Sequence, residues 1–130
     1  MVQALSERVD AVGRREPGAV AAFALYVRQE ILPHARAEEE TLYRALGEHS
    51  ELARFLRWEH EELLRRLQAL PEEGDPATPL RAAAWAALFE SHAVKEEALL
   101  LPALGRLGLD LAPLLAAMEE AFARHTGRVP

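Results

Sequence analysis

The strongest constraint on the fold is an internal repeat. The segment HARAEEETLYRALG, which begins at His34, matches HAVKEEALLLPALG, which begins at His92, at eight of fourteen positions. The offset is 58 residues (92 minus 34), and it also aligns VQALSERVDAV, from Val2, with HEELLRRLQAL, from His60. Self-similarity over tens of residues is typical of folds built from a repeated supersecondary unit. We therefore predict that the chain contains two copies of one unit.

Composition and helix-breaking residues indicate that both copies are helical. Ala, Leu, Glu and Arg dominate the chain, whereas the branched residues that favour strands are scarce. Between the breakers, apolar residues recur at the three- and four-residue spacing of amphipathic helices. The predicted helices cover about residues 2–14, 18–46, 50–70, 78–104 and 110–124. Pro33 is expected to bend the second helix without ending it, and Ser50 and Asp110 are expected to cap the third and the fifth.

These helices predict an all-α fold. Four amphipathic helices joined by short connections commonly form an antiparallel up-down four-helix bundle, which buries their apolar stripes together. We expect two repeated helical hairpins, over about residues 2–47 and 60–105, to form this bundle, and the short fifth helix to pack across its side or end. A length of 130 residues fits a single domain, residues 1–130.

Composition also excludes several classes of function. The chain has no cysteine, so disulfides, thiolate metal sites and cysteine nucleophiles are impossible. Its formal net charge of −6 argues against a phosphate-binding surface, so we expect no nucleic-acid partner. No apolar run approaches the roughly 18 residues that a spanning helix needs, and the N-terminus lacks the pattern of a signal peptide. We therefore expect no membrane association and a cytoplasmic location.

The repeat places histidine and glutamate at matched positions. His34 and Glu38 are four residues apart, as are His92 and Glu96, so each pair projects from one face of its helix. His60 lies on the apolar stripe of the third helix and is also expected to face the interior. Buried carboxylates require compensating charge, which a cation supplies. Nitrogen and oxygen donors without sulfur suit iron, manganese or zinc, and opposed glutamates can bridge two ions, so the pattern predicts a dinuclear metal site.

The segments ILPHARAEEETLY, RWEHEELLRRL and FESHAVKEEALLLPAL resemble the hemerythrin-like family, whose members carry an HHE cation-binding domain. The resemblance covers nearly the whole chain. It implies a four-helix bundle that holds two non-haem iron ions and binds or senses oxygen or a related small oxidant, such as nitric oxide or peroxide. Enzymatic turnover is not required by this role. The metal ligands that the resemblance implies are His34, Glu38, His60, His92 and Glu96, with the two glutamates bridging.

One ligand expected from the resemblance is missing. The family usually has a further histidine on its first helix, and the repeat puts that position at Val2 (60 minus 58). Valine cannot bind a metal. Either the site is incomplete, so that it holds one ion or none, or the authentic chain begins upstream of Met1 and carries the ligand there. Glu39 and Glu97 offer carboxylates five residues after their histidines, but regular helix geometry favours the four-residue spacing.

Two rival functions use the same residues. The first is a structural or interaction bundle that has lost its cofactor, and the second is an oxidase or peroxidase with the same metals. Other titratable residues are interpreted as solvated or surface groups: Glu39, Glu40, Glu97, His49 and His125. Tyr26 and Tyr43 are predicted first of all as packing residues, each with a phenol that could also reach the metal.

Overall fold

The fold is all-helical, as predicted. The computed structural model describes residues 1–128, and over this part of the chain there are five helices and no strands. The helices are α1 (Val2–Gly13), α2 (19–46), α3 (Glu51–Gln68), α4 (78–106) and α5 (Leu111–Thr126). Each predicted boundary lies within two residues of the observed one, because propensity, caps and breakers all act locally along the chain.

Side-chain caps fix where α3 and α5 begin. The Ser50 hydroxyl accepts a hydrogen bond from the Ala53 amide at 3.1 Å, and the Asp110 carboxylate accepts one from the Ala112 amide at 3.2 Å. Each cap satisfies an amide group that the first turn of a helix leaves free. Both caps are the ones that the sequence predicts.

The two long helices contain wide turns of π-helix. These turns are Val27–Ile31 and Glu39–Tyr43 in α2, and Glu96–Leu100 in α4. A proline lacks an amide donor, and its ring crowds the carbonyl group four residues back. Pro33 and Pro102 each follow a wide turn that contains this crowded carbonyl, so the helix widens locally and continues. The prediction that α2 passes through Pro33 is therefore confirmed.

Two apolar clusters fill the interior. The Trp85 cluster includes Phe23, whose ring meets the Trp85 ring edge-on at 5.5 Å, and Leu63, whose carbonyl accepts a hydrogen bond from the Trp85 indole at 2.8 Å. The second, the Leu56 cluster, consists of Leu42, Tyr43, Ala53, Leu56, Leu100 and Leu104. On α2, α3 and α4 the predicted metal ligands lie between members of these two clusters. The site is therefore held from both sides by packed apolar side chains.

The fifth helix lies along α2. α1 contacts the first part of α2 and the Thr78–Lys95 part of α4, α3 contacts that same part of α4, and α5 contacts α2 over the Leu32–Glu38 and Glu39–Tyr43 turns. Ion pairs from Glu40 to Arg124 and to His125 connect α5 to α2 at the surface. Among the helices of residues 1–128, none is long and apolar enough to cross a membrane.

Candidate metal centre

Four of the five predicted ligands converge in the interior. Glu38 on α2, His60 on α3, and His92 and Glu96 on α4 each place one ligand atom within 4.8 Å of the other three. The Nε2 atom of His60 lies 3.7 Å from Oε1 of Glu38, and the Nε2 atom of His92 lies 3.4 Å from Oε1 of Glu96. Three helices therefore bring two imidazoles and two carboxylates to one point. We refer to these four residues as the His/Glu cluster.

Burial changes the charge that the carboxylates carry. Glu38 is buried and Glu96 is largely so. Burial raises the pKa of Glu38 to about 7, and the neighbouring Glu39 adds to the rise. Burial also raises the pKa of Glu96 to about 8, with a further contribution from the Glu38 carboxyl. Without a cation the two carboxylates therefore lose their protons only around neutral pH, because two buried charges side by side are unfavourable.

The imidazoles carry lone pairs that suit a metal. Burial lowers the pKa of His92, so this ring is neutral at physiological pH and its nitrogen can bind a cation. The Nε2 atom of His60 faces the carboxylate of Glu38, and the Nε2 atom of His92 faces that of Glu96, so one nitrogen of each ring points into the cluster. Two imidazoles and two carboxylates form a donor set that suits a divalent metal ion. The cluster therefore fits a cation, which would neutralise the carboxylates and bind His60 through Nε2.

Each histidine of the cluster also has a carboxylate near its other ring nitrogen, Nδ1. Glu59 is only 2% exposed, and its Oε1 lies 3.0 Å from Nδ1 of His92. The Lys95 ammonium donates a hydrogen bond to the other Glu59 oxygen at 2.6 Å. The buried Nδ1 atom of His60 has no hydrogen-bond partner among residues 1–128, and Oε2 of Glu39 lies 3.6 Å from it. A carboxylate that is hydrogen-bonded to a metal-binding histidine, as Glu59 is to His92, orients the ring and makes its other nitrogen a better donor.

Neither of these two neighbouring carboxylates is predicted by the sequence analysis. Glu59 was not among the candidate residues, and Glu39 was expected on a solvated helix face. The structure places Glu39 beside His60, with its side chain about two-thirds buried, so that expectation is wrong for Glu39. The signals for Glu59 were weak: it adjoins His60 in sequence, and its ionic partner Lys95 is the only lysine in the chain.

Tyr43 lies against three members of the cluster. Its fully buried hydroxyl is 3.2 Å from Nε2 of His60 and 3.2 Å from Nε2 of His92, and it donates a hydrogen bond to Oε2 of Glu96 at 2.9 Å. Burial and the nearby carboxylates raise the pKa of this phenol, so it stays protonated. Of the two tyrosines that the sequence singles out, Tyr43 reaches the site, whereas the Tyr26 hydroxyl bonds to the Met1 carbonyl.

His34 lies beside Glu38 but is not one of the four residues whose ligand atoms converge. Its Nδ1 lies 3.7 Å from Oε1 of Glu38, but its side chain is 32% exposed and its ring meets Phe122 of α5 edge-on at 5.7 Å. Burial lowers the pKa of His34, so this ring too is neutral at physiological pH. The side chain of His49 is solvent-exposed, and His125 pairs with Glu40 outside the cluster. Neither of these two residues joins the four ligand atoms, in agreement with the sequence analysis.

A cavity of about 250 Å³ adjoins the cluster. All five helices contribute to its wall, which is mostly apolar and includes Val2 from α1 and Leu115 and Met118 from α5. Val2 is 44% exposed, so the cavity reaches the surface beside α1. The site therefore combines a polar cluster on one side with an apolar chamber that is large enough for a small molecule.

The fold and this site define a class of helical proteins that hold a cation between their helices. The family model for the Hemerythrin HHE cation binding domain matches residues 1–104, and the chain belongs to this family. The match ends before α5 begins. Comparison with curated proteins and with solved structures found no match. The resemblance seen in the sequence is thus confirmed at the level of the family.

Proposed function

We propose that this protein binds non-haem iron at the His/Glu cluster and that it binds or senses oxygen or a related small oxidant, such as nitric oxide or peroxide. The observation that carries the proposal is the convergence of Glu38, His60, His92 and Glu96 from three helices. Membership of a cation-binding family supports the same function. A role in binding or sensing does not require turnover.

The donor set supports iron. Two imidazoles and two carboxylates without sulfur suit iron, and they also suit manganese or zinc. When bound, iron supplies open coordination positions and a reversible change between its ferrous and ferric states. Glu38 and Glu96 provide the negative charge that offsets the charge of the cation, and Glu59 orients His92 through its contact with Nδ1.

The surroundings of the cluster support a small uncharged ligand. The chamber beside the cluster is lined mainly by apolar side chains, which admit an uncharged diatomic molecule at little desolvation cost and exclude charged solutes, whose desolvation is costly. The Tyr43 hydroxyl donates its hydrogen to Oε2 of Glu96 and so fixes this carboxyl group at a defined place beside the chamber. No protein partner is needed for this binding step.

Anaerobic loading with ferrous iron tests the proposal. We expect iron to remain with the protein after removal of free metal, and the absorption spectrum of the loaded protein to change when nitric oxide is added. The variant His60→Ala should lose the iron, whereas His49→Ala, which changes an exposed histidine outside the cluster, should retain it. The proposal would be contradicted if the protein retained stoichiometric zinc in place of iron, or if it retained no metal.

The main alternative is that the chain has lost its cofactor during evolution. The presence of valine at position 2, where the repeat would place a histidine, favours this alternative. Under that alternative the bundle serves as a structural or interaction module, and His60→Ala and Glu96→Ala leave its thermal stability unchanged or raise it. An oxidase or peroxidase with the same metal differs only in turnover, which consumption of peroxide by the iron-loaded protein would reveal.

We also propose the finer architecture that the repeat suggests. Along α2 and α4 the chain passes from the Trp85 cluster to the Leu56 cluster, and along α3 it passes in the opposite direction. This order supports an antiparallel up-down four-helix bundle of two hairpins within a single domain. The proposed domain spans 1–130, of which residues 129–130 lie outside the described part. The cytoplasmic location expected from the sequence stays a prediction.

A further inference from the structure

The internal repeat divides the metal site into two matched halves. At the 58-residue offset the sequence pairs residues of α1 with residues of α3, and residues of α2 with residues of α4. The matched pairs are Val2 with His60, His34 with His92, Glu38 with Glu96, and Leu101 with Tyr43. If the two copies carried the same side chains, the site would offer the same donors to two cations. The chain instead differs between the copies at two of the four positions.

The half contributed mainly by the second copy is rich in donors. We call His60, His92 and Glu96 the donor half. Their ligand atoms lie within 4.8 Å of one another and of Glu38, which reaches over from the first copy. The Tyr43 hydroxyl contacts the three residues of this half but is not one of the four ligand residues. A single cation here would therefore be surrounded by four protein ligands, which is enough for stable binding.

The other half offers little to a second cation. We call Val2, His34 and Leu101 the apolar half, because two of its three side chains are hydrocarbon. Val2 and Leu101 line the cavity with hydrocarbon side chains at the positions where the donor half has His60 and Tyr43. His34 is not one of the residues whose ligand atoms converge, and its ring packs against Phe122. A second ion would have one imidazole of its own and would depend on carboxylate oxygens shared with the first ion.

We propose that the site holds one tightly bound cation, ligated by Glu38, His60, His92 and Glu96, and that Val2 is the residue that prevents tight binding of a second. This inference rests on the proposed metal-binding function and revises the number of ions that the sequence predicts. Placing a second divalent charge beside Val2 and Leu101 is unfavourable, because neither side chain replaces the water that the ion gives up. The apolar half then serves as the open chamber next to a single ion.

Metal stoichiometry tests the inference directly. Anaerobic titration of the metal-free protein with cobalt(II), followed by calorimetry and by the visible absorption of the bound ion, counts the equivalents that bind. We expect one equivalent to bind tightly, and any second one to bind at least a hundredfold more weakly. The inference would be overturned if two equivalents bound with affinities that differ by less than tenfold. Failure of cobalt and ferrous iron alike to bind would instead overturn the proposed function.

Matched variants at position 2 test the role of Val2. Val2→His restores at this position the side chain that His60 supplies to the donor half, so we expect a second tight equivalent. Val2→Leu keeps the position apolar and should still bind one. His60→Ala should weaken binding of the first equivalent at least a hundredfold, and circular dichroism would show that each variant is folded. A second tight equivalent in Val2→Leu, or none in Val2→His, would contradict the role that we assign to Val2.

Discussion

The hydroxyl of Tyr43 contacts three of the four residues in the His/Glu cluster, and its removal tests how the cluster is held without metal. In Tyr43→Phe the ring keeps its stacking on His60, whereas a Glu96 oxygen and two imidazole nitrogens lose a neighbour. A buried polar group left without a partner costs about 1–3 kcal/mol. We expect a loss of stability of this size in the metal-free protein and a smaller loss in the metal-loaded protein, both measured by urea unfolding.

The smaller loss with metal follows because a cation would occupy the same lone pairs. Tyr26→Phe is a matched control, since the Tyr26 hydroxyl makes an exposed hydrogen bond to the Met1 carbonyl. Its effect should stay within about 0.5 kcal/mol, as for other surface substitutions. Equal losses for Tyr43→Phe with and without metal would argue that this hydroxyl has no connection with the metal site.

Glu59 is expected to act on the metal through His92. The variant Glu59→Gln keeps the shape of the side chain but removes the negative charge that lies between His92 and Lys95. Because outer carboxylates orient and strengthen imidazole ligands, we expect metal affinity to fall about 10- to 100-fold. Competition with a chelator of known affinity would measure this change. The control Glu61→Gln changes an exposed residue on the same helix, so its metal affinity should stay within about twofold of that of the unmodified protein. An equally small change for Glu59→Gln would contradict the role assigned to Glu59.

Some residues of the site could be predicted from the sequence because the repeat marks them. Glu38 and Glu96 occur at matched positions of the two copies, as do His34 and His92, so self-similarity singles them out. Glu59 has no such signal, because its matched position is Met1. Whether a glutamate points inward or into solvent depends on the packing of a neighbouring helix, which local spacing does not encode.

At the scale of the helices, the sequence predicts where each element starts and ends, but not its internal geometry. Caps, breakers and apolar spacing are local, and they locate all five helices to within two residues. A wide turn shifts the spacing of inward-facing side chains by a single residue, which the spacing of apolar residues in the sequence hardly reveals. The turn Glu39–Tyr43 has no proline after it, and yet it aims Tyr43 into the cluster.

The helix α5 is expected to control how fast metal leaves the site. It lies outside the family match, it contacts α2 beside the cluster, and its Leu115 and Met118 line the cavity. In Ala121→Arg a fully buried alanine is replaced by a cation, which α5 can accommodate only by separating from its neighbours. We expect a chelator to extract bound metal roughly tenfold faster or more, since each 1.4 kcal/mol of easier local opening corresponds to a factor of ten.

The control for α5 is Ala116→Arg, which introduces the same charge on the exposed face of the same helix. This variant should release metal at the rate of the unmodified protein. Stopped-flow absorbance with cobalt(II) bound would follow both variants. Equal rates for the two would show that metal leaves by a route that does not involve α5.

At the scale of the whole molecule, a polar cluster is buried between two apolar clusters, and the packing on both sides makes this arrangement tolerable. Full burial of a side chain such as Phe23 or Leu56 contributes about 1.5–3 kcal/mol, and both apolar clusters contain several residues of this kind. The helices are therefore held in place without metal, while the carboxylates between them stay protonated up to about neutral pH. A cation that binds only the folded state adds stability by mass action.

This arrangement predicts opposite effects of pH on the metal-free protein and on metal binding. The folded-state pKa values of Glu38 and Glu96 are raised from an ordinary 4.5 to about 7 and about 8, so the folded state holds more protons than the unfolded state above pH 4.5. Their contribution to stability is full below pH 4.5 and is lost as the pH rises to about 8. His34 and His92 have lowered pKa values, so they favour the folded state as the pH rises through 6.5, and this effect levels off about one pH unit higher, once the unfolded histidines are neutral.

Above about pH 7 the carboxylates should therefore dominate, and the stability of the metal-free protein should fall toward pH 8. The slope is up to about 1.4 kcal/mol per pH unit for each extra proton that the folded state holds. Metal affinity should rise over the same range, because binding displaces those protons. Urea unfolding and chelator competition at several pH values would measure the two trends. Glu38→Gln and Glu96→Gln cannot titrate, so each should flatten the stability profile; a profile that keeps its slope in both variants would show that other groups carry the effect.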